Sequence, residues 1–127
     1  MPRRAALLLA LMVTTVVAGD RAETPSGEAK RGAQLFRACA ACHSLAPDRN
    51  MTGPSLAGIW GRKAGSLESF ERYSPALKAA AITWHEKTLY QFIQNPGADV
   101  HGTKMVVSVP GNDDRQNVIA YLKTLKP

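Results

Sequence analysis

Hydrophobic positions in this chain recur at helical spacing in several segments and lose all period between them. Glu28 to Ala38 reads as a first helix, entered after the breaker Thr24-Pro25-Ser26-Gly27 and carrying Leu35 and Phe36 on one side. Ser74-Pro75 predicts an N-cap followed by proline at the first helical position, opening a short helix through Ala81. Thr83-Trp84-His85-Glu86 fits a capping box leading into a helix that runs to about Gln94, where Asn95-Pro96-Gly97 ends it. Asn112 can cap a last helix with Asp113 and Asp114 near the positive end of its dipole and Lys123 and Lys126 towards its C-terminus. Val118, Ile119, Leu122 and Leu125 form the apolar side of that helix. No run alternates as a strand would, and repeats and low-complexity segments are absent from the sequence. The prediction is an all-α domain.

The stretches between these helices, Ser44 to Ile59 and Pro96 to Gly111, are long and rich in Gly and Pro. Irregular segments of such length in a small domain either contradict the helix assignment or wrap around something. A central prosthetic group resolves the conflict, because the loops can pack on it instead of on each other. It also enlarges a core that a domain of this size can build only to a limited extent.

Cys39-Ala40-Ala41-Cys42-His43 supplies the chemistry for such a group. Two thiols at this spacing can add across the vinyl groups of a haem, and the histidine after the second is placed to bind its iron. A redox disulfide is one alternative, but the surrounding strand–helix alternation it requires is missing. A zinc site is another, but the chain has no further cysteine and only two other histidines. Chance is the third.

The N-terminus bears on the compartment. Met1-Pro2-Arg3-Arg4 is a basic start, followed by an apolar run from Ala5 to Ala18, with small residues Val16 and Ala18 before the charge at Asp20. That pattern predicts a signal peptide over residues 1–18, cleaved after Ala18, and an exported domain over residues 19–127. The run is shorter than the ~20 residues a membrane-spanning helix needs, so no membrane insertion is expected after cleavage. Export suits covalent haem, which bacteria attach outside the cytoplasm, and places the protein in the periplasm. The full chain has a formal charge of +6; losing Arg3 and Arg4 leaves 14 basic against 10 acidic residues, a net +4. A modestly basic surface favours acidic protein partners or anionic membranes. Nucleic acid is excluded as a partner class, since no basic-aromatic array is present.

From about Gly32 to Leu125 the sequence resembles class I cytochrome c, especially the bacterial members close to the mitochondrial protein. The resemblance rests on Gly32-x-x-x-Phe36, Cys39-Ala-Ala-Cys42-His43, Thr52-Gly53-Pro54-Ser55-Leu56 and Gly58-Ile59-Trp60-Gly61-Arg62-Lys63. It continues through Tyr73-Ser74, Ile82-Thr83-Trp84, Asn95-Pro96, Gly102-Thr103-Lys104-Met105 and Ile119-Ala120-Tyr121-Leu122. It implies a cytochrome c fold around one haem c, bound covalently through Cys39 and Cys42. His43 is then the proximal iron ligand and Met105 the second axial ligand, a soft thioether that favours reduced iron. The Pro54 carbonyl would accept the His43 Nδ1–H and fix the ring tautomer. Arg62, Tyr73 and Trp84 would hydrogen-bond a buried haem propionate. Gly32 and Phe36 would meet Val118 and Tyr121 where the first and last helices cross.

Three departures from the family pattern matter. Many relatives have a tyrosine near the methionine sulfur where this chain has Phe92, and a water-holding asparagine where it has Leu77. Both changes remove polar groups from the methionine side of the pocket, with opposing effects on the potential. His101 replaces the usual proline before Gly102-Thr103-Lys104-Met105 and reads as a surface histidine, as does His85. The lysines that ring the haem edge in mitochondrial relatives are replaced by Ala38, Gly97, Ala98, Gly111 and Asn112, leaving Lys104 and Arg37 as the clearest cations.

The function implied is that of a soluble, monomeric one-electron carrier. It would run between a bc1-type complex and a terminal oxidase or reductase, or serve as the acceptor of a periplasmic dehydrogenase. A haem peroxidase or gas sensor needs an open iron position, which the methionine ligand argues against. No catalytic residue is expected.

Overall fold

The computed structural model describes residues 27–127; the expected signal peptide lies outside them. Among the described residues the architecture is helical. The helices are α1 (Gly27–Leu35), α2 (Pro75–Ala79), α3 (Glu86–Gln94), α4 (Pro96–Asp99) and α5 (Asn112–Lys123). The first helix is shorter than its periodicity predicts: Phe36–Ala38 tighten into a 3-10 turn that leads the chain into Cys39. Cys42 and His43 then donate their amides to the Cys39 carbonyl, so the two cysteines and the histidine share one compact turn.

α1 and α5 cross, and α3 packs against α5. The α1–α5 crossing depends on Gly32, where an added Cβ would lie 1.9 Å from the Asn117 carbonyl oxygen and 2.8 Å from Tyr121 Cβ. Phe36 meets Tyr121 edge-on, with ring centroids 5.4 Å apart. The backbone of Asn117, with Tyr121, therefore fills the place opposite Gly32, and Val118 turns into the core at 2 % exposure.

Ser74 caps α2 as expected, its hydroxyl accepting from the Leu77 amide at 3.1 Å. The helix stops at Ala79 rather than Ala81, because Ala81 takes a left-handed φ of +52° that no helix can continue.

The cap of α3 lies two residues beyond the predicted one. Thr83 cannot serve, since it forms an isolated antiparallel bridge with Lys63 that holds its backbone extended. His85 takes the N-cap place, and the hydroxyl comes from Thr88, which accepts from the His85 amide at 3.0 Å and donates to the Thr83 carbonyl at 2.6 Å. Asn95-Pro96 both ends α3 and starts α4, which the sequence reading treats only as a stop. Asn95 Oδ1 accepts from the Ala98 amide at 3.2 Å, the device used by Ser74-Pro75. Gly111, not Asn112, caps α5; Asn112 is its first helical residue and accepts from the Tyr90 hydroxyl.

The buried side chains, among them Phe36, Ile59, Trp84, Phe92, Val118 and Leu122, surround a hollow instead of filling a centre. Helices supply one part of its wall and the long loops supply the rest.

Candidate functional site

The hollow is a cavity of about 470 Å³, within the size range of cofactor pockets. The turn after α1 brings Cys39, Cys42 and His43 to its wall. Both cysteines are unpaired and half-buried. Burial, with Cys42 nearby as a second cause, pushes the Cys39 thiol up from its ordinary value.

His43 is fixed by the loop that follows. Its Nδ1 lies 2.7 Å from the Pro54 carbonyl. A carbonyl can only accept, so Nδ1 carries the hydrogen and Nε2 keeps its lone pair. Burial holds the imidazole below the ordinary histidine range; the Pro54 bond opposes this and the Arg62 charge adds to it. The result is a neutral ring with one free donor nitrogen, the state a metal ion requires. Gly53 lets the loop come this close: a Cβ there would stand 2.4 Å from His43 Cε1. The loop itself is stapled by Ser55, 1 % exposed, whose hydroxyl donates to the Ala46 carbonyl at 2.7 Å. Asn50 accepts from the Ser55 amide at 2.9 Å.

Met105 lines the same cavity, and so do Pro54, Tyr73 and Trp84. Arg62 does not. It stands behind the wall, half-buried, donating Nη2 to the Ser55 carbonyl at 2.7 Å. Burial lowers the pKa of its guanidinium, and the interaction with Tyr73 opposes that. Burial raises the Tyr73 phenol above its ordinary value, against a hydrogen bond at Leu67 and the Arg62 charge. Trp84 is 6 % exposed and packs on Phe92, with ring centroids 5.0 Å apart. Leu77 and Phe92 both line the cavity and add two apolar groups to its wall. His101 and His85 are exposed and outside the lining.

Sequence reasoning missed several lining groups: Thr52, Arg72, Ser74 and Thr103. It also missed Arg115, which is 4 % exposed. Arg115 donates to the carbonyls of Val109 and Pro110 at 2.7 and 2.6 Å and to the Tyr90 hydroxyl at 2.9 Å. A signal for it exists: Arg115 precedes Val118 and Ile119 by three and four positions, on the apolar side of α5.

The wall is mostly apolar, and no Asp or Glu is among the described residues that line it. Its charged members are Arg72 and Lys104, accompanied by the neutral His43 imidazole and the hydroxyls of Thr52, Tyr73, Ser74 and Thr103. A flat apolar group carrying carboxylates suits such a lining, and two free thiols beside a neutral imidazole suit covalent attachment and iron coordination. Among the described residues, no three His, Cys, Asp or Glu side chains converge as a metal-ion cluster would.

Residues 29–126 match the cytochrome c family. The chain belongs to that family. It is 46 % identical over 92 residues to cytochrome c2 iso-2 of Magnetospirillum molischianum, covering 72 % of this chain and 94 % of the relative. It is 44 % identical over 102 residues to cytochrome c of Euglena viridis, covering 79 % and 99 %. The structure of cytochrome cH from Methylobacterium extorquens superposes with a TM-score of 0.72 at 38 % identity, over 77 % of this chain and 99 % of that one. Cytochrome c2 from Rhodospirillum centenum gives 0.74 at 31 % identity, over 80 % and 100 %. The fold is thus the all-α cytochrome c fold, and the protein is an electron carrier with one covalently bound haem c, attached through Cys39 and Cys42.

Proposed function

We propose that this cytochrome c is exported to the periplasm and carries single electrons with its haem iron held between His43 and Met105. The observation that carries the ligand assignment is the position of Met105 in the same cavity wall as His43, with His101 exposed outside that wall. The haem supplies an iron that gains and loses one electron. The chain's own residues do the rest. The Pro54 carbonyl holds the hydrogen on Nδ1 and so leaves the lone pair on Nε2, and burial disfavours the imidazolium form. The Met105 thioether favours the reduced iron, which suits a carrier that must accept electrons readily. Tyr73 and Trp84 would donate to a haem propionate from the cavity wall, with Arg62 acting at one remove through its charge on Tyr73. Leu77, Phe92 and the buried aliphatics exclude water.

With His43 and Met105 both holding the iron, no position would be left for peroxide or gas, so carriage between proteins is the reading and catalysis is not. Donor and acceptor are a bc1-type complex and a terminal oxidase or reductase. Among the described residues no helix is long and apolar enough to cross a membrane.

The ferric protein should show the weak red charge-transfer band of iron bound to methionine sulfur. Met105→Ala should abolish that band, lower the reduction potential and open the iron to small ligands. His101→Ala should leave the band unchanged. Loss of the band with His101 while it survives loss of Met105 would reverse the assignment.

A further inference from the structure

Arg72 lies outside the motifs that point to the cavity, yet it joins three segments around the cavity mouth. Its guanidinium Nη2 donates to the Met51 carbonyl and its charge lies 5.4 Å from the centroid of the Phe70 ring. Its own backbone carbonyl accepts from Lys104 Nζ at 3.0 Å. Arg72 and Lys104 are both exposed and both line the cavity, which places them on its rim. The two bonds run in series. The first reaches the loop whose Gly53 and Pro54 hold His43; the second reaches the segment that carries Met105.

Few hydrogen bonds within the chain tether that second segment. Among the described residues, positions 104–108 make one hydrogen bond to the rest of the chain, the one from Lys104. Thr103 and Val109 on either side are anchored through their amides to Val100 and Ile93. Between those anchors Met105 is half-buried and packs against the core, while Val106 is 88 % exposed. A short stretch with few buried contacts and few hydrogen bonds opens at low free energy, and each remaining tether then governs how often it does so.

We propose that Arg72 is a positioning residue that latches the mouth of the haem cavity: through Lys104 it holds the Met105 segment against the loop beneath His43. The latch sets how often Met105 leaves the iron and how fast a small ligand replaces it. This rests on Met105 being an axial ligand. The Arg72 side chain makes the first link and the Arg72 backbone the second, so a side-chain substitution cuts the chain at one point and leaves the Lys104 bond able to form.

The test is the rate at which imidazole binds the ferric holoprotein, followed by loss of the methionine charge-transfer band. An exposed hydrogen bond is worth ~0.5–1.5 kcal/mol, so Arg72→Ala should accelerate binding roughly two- to tenfold. Lys104→Ala should accelerate it at least as much. The double variant should be no faster than the faster single one, because links in series are already broken by the first cut. Arg72→Lys, which can still donate to the Met51 carbonyl, should restore most of the parental rate. Parental rates in Arg72→Ala, or fully additive effects in the double variant, would overturn the latch while leaving the ligand assignment intact. Absence of the band in the parent ferric protein would overturn the ligand assignment, and the latch with it.

Discussion

Gly53 shows how closely the site is fitted at the scale of a single residue. The motif Thr52-Gly53-Pro54 is visible in the sequence, and the role of the Pro54 carbonyl follows from its resemblance to a family pattern. The role of Gly53 is not visible, because the crowding that requires it comes from a side chain ten positions earlier in the chain. A Cβ at Gly53 would stand 2.4 Å from His43 Cε1 and 2.8 Å from its Nδ1. The ring cannot yield without losing its bond to Pro54. Gly53→Ala should therefore cost ~1–3 kcal/mol of packing strain and about 1 kcal/mol more from the weakened hydrogen bond. Thermal unfolding of the holoprotein, with the yield of covalently bound haem, would measure this; a parental melting temperature and haem yield would show that the loop moves aside freely. Arg115 illustrates the opposite case. Its helical spacing from Val118 and Ile119 is legible, but a charge on an apolar face reads as an exception until its carbonyl partners are seen.

Helix existence is legible at the scale of elements, and helix ends are not. The Thr24–Gly27 breaker with Leu35 and Phe36 finds α1, the Ser74-Pro75 dipeptide α2, the capping-box pattern α3 and periodicity α5, while the short α4 is not foreseen. The misplaced ends have tertiary causes: the Lys63–Thr83 bridge moves the cap of α3, and the left-handed Ala81 shortens α2. The α1–α5 crossing lends itself to a quantitative test. Exchanging glycine for alanine inside a helix normally gains ~1 kcal/mol in propensity. At Gly32 the new methyl would meet the Asn117 carbonyl at 1.9 Å, and a backbone atom within α5 cannot rotate away. The helices must separate. Gly32→Ala should lose on the order of 2–3 kcal/mol net, which for a domain of about 100 residues lowers the melting temperature by roughly 10–20 °C. Ala33→Gly, at the exposed neighbouring position, should cost only the ~1 kcal/mol of propensity. Equal losses at the two positions would mean that helix propensity, not the crossing, governs α1.

Charge distribution over the whole molecule decides how it meets its partners. A net +4 for the expected exported chain suggests steering by acidic surfaces, but the position of those charges argues otherwise. Ala38, Gly97, Ala98, Gly111 and Asn112, the positions where the family resemblance leads one to expect lysines, are all exposed and uncharged. Two cations, Arg72 and Lys104, remain at the cavity rim; their bonds to the Met51 and Arg72 carbonyls hold them in place without neutralising them, and two charges make a weaker field than a full ring. Beside them Val106 and Val107 present apolar surface. A face of this kind associates through desolvation of apolar area, which salt barely alters. Charges further away act over a Debye length of ~10 Å at 0.1 M salt and are screened before they can orient a partner. Electron transfer to the proposed acceptor, a terminal oxidase, should therefore slow by no more than roughly threefold as salt rises from low to physiological strength, far from the orders of magnitude lost by strongly steered pairs. Val106→Asp should slow it more than that whole range of salt does, because it places a charge in the contact itself. A steep fall with ionic strength, together with a near-parental Val106→Asp, would mean that the partner docks on basic residues away from the apolar rim.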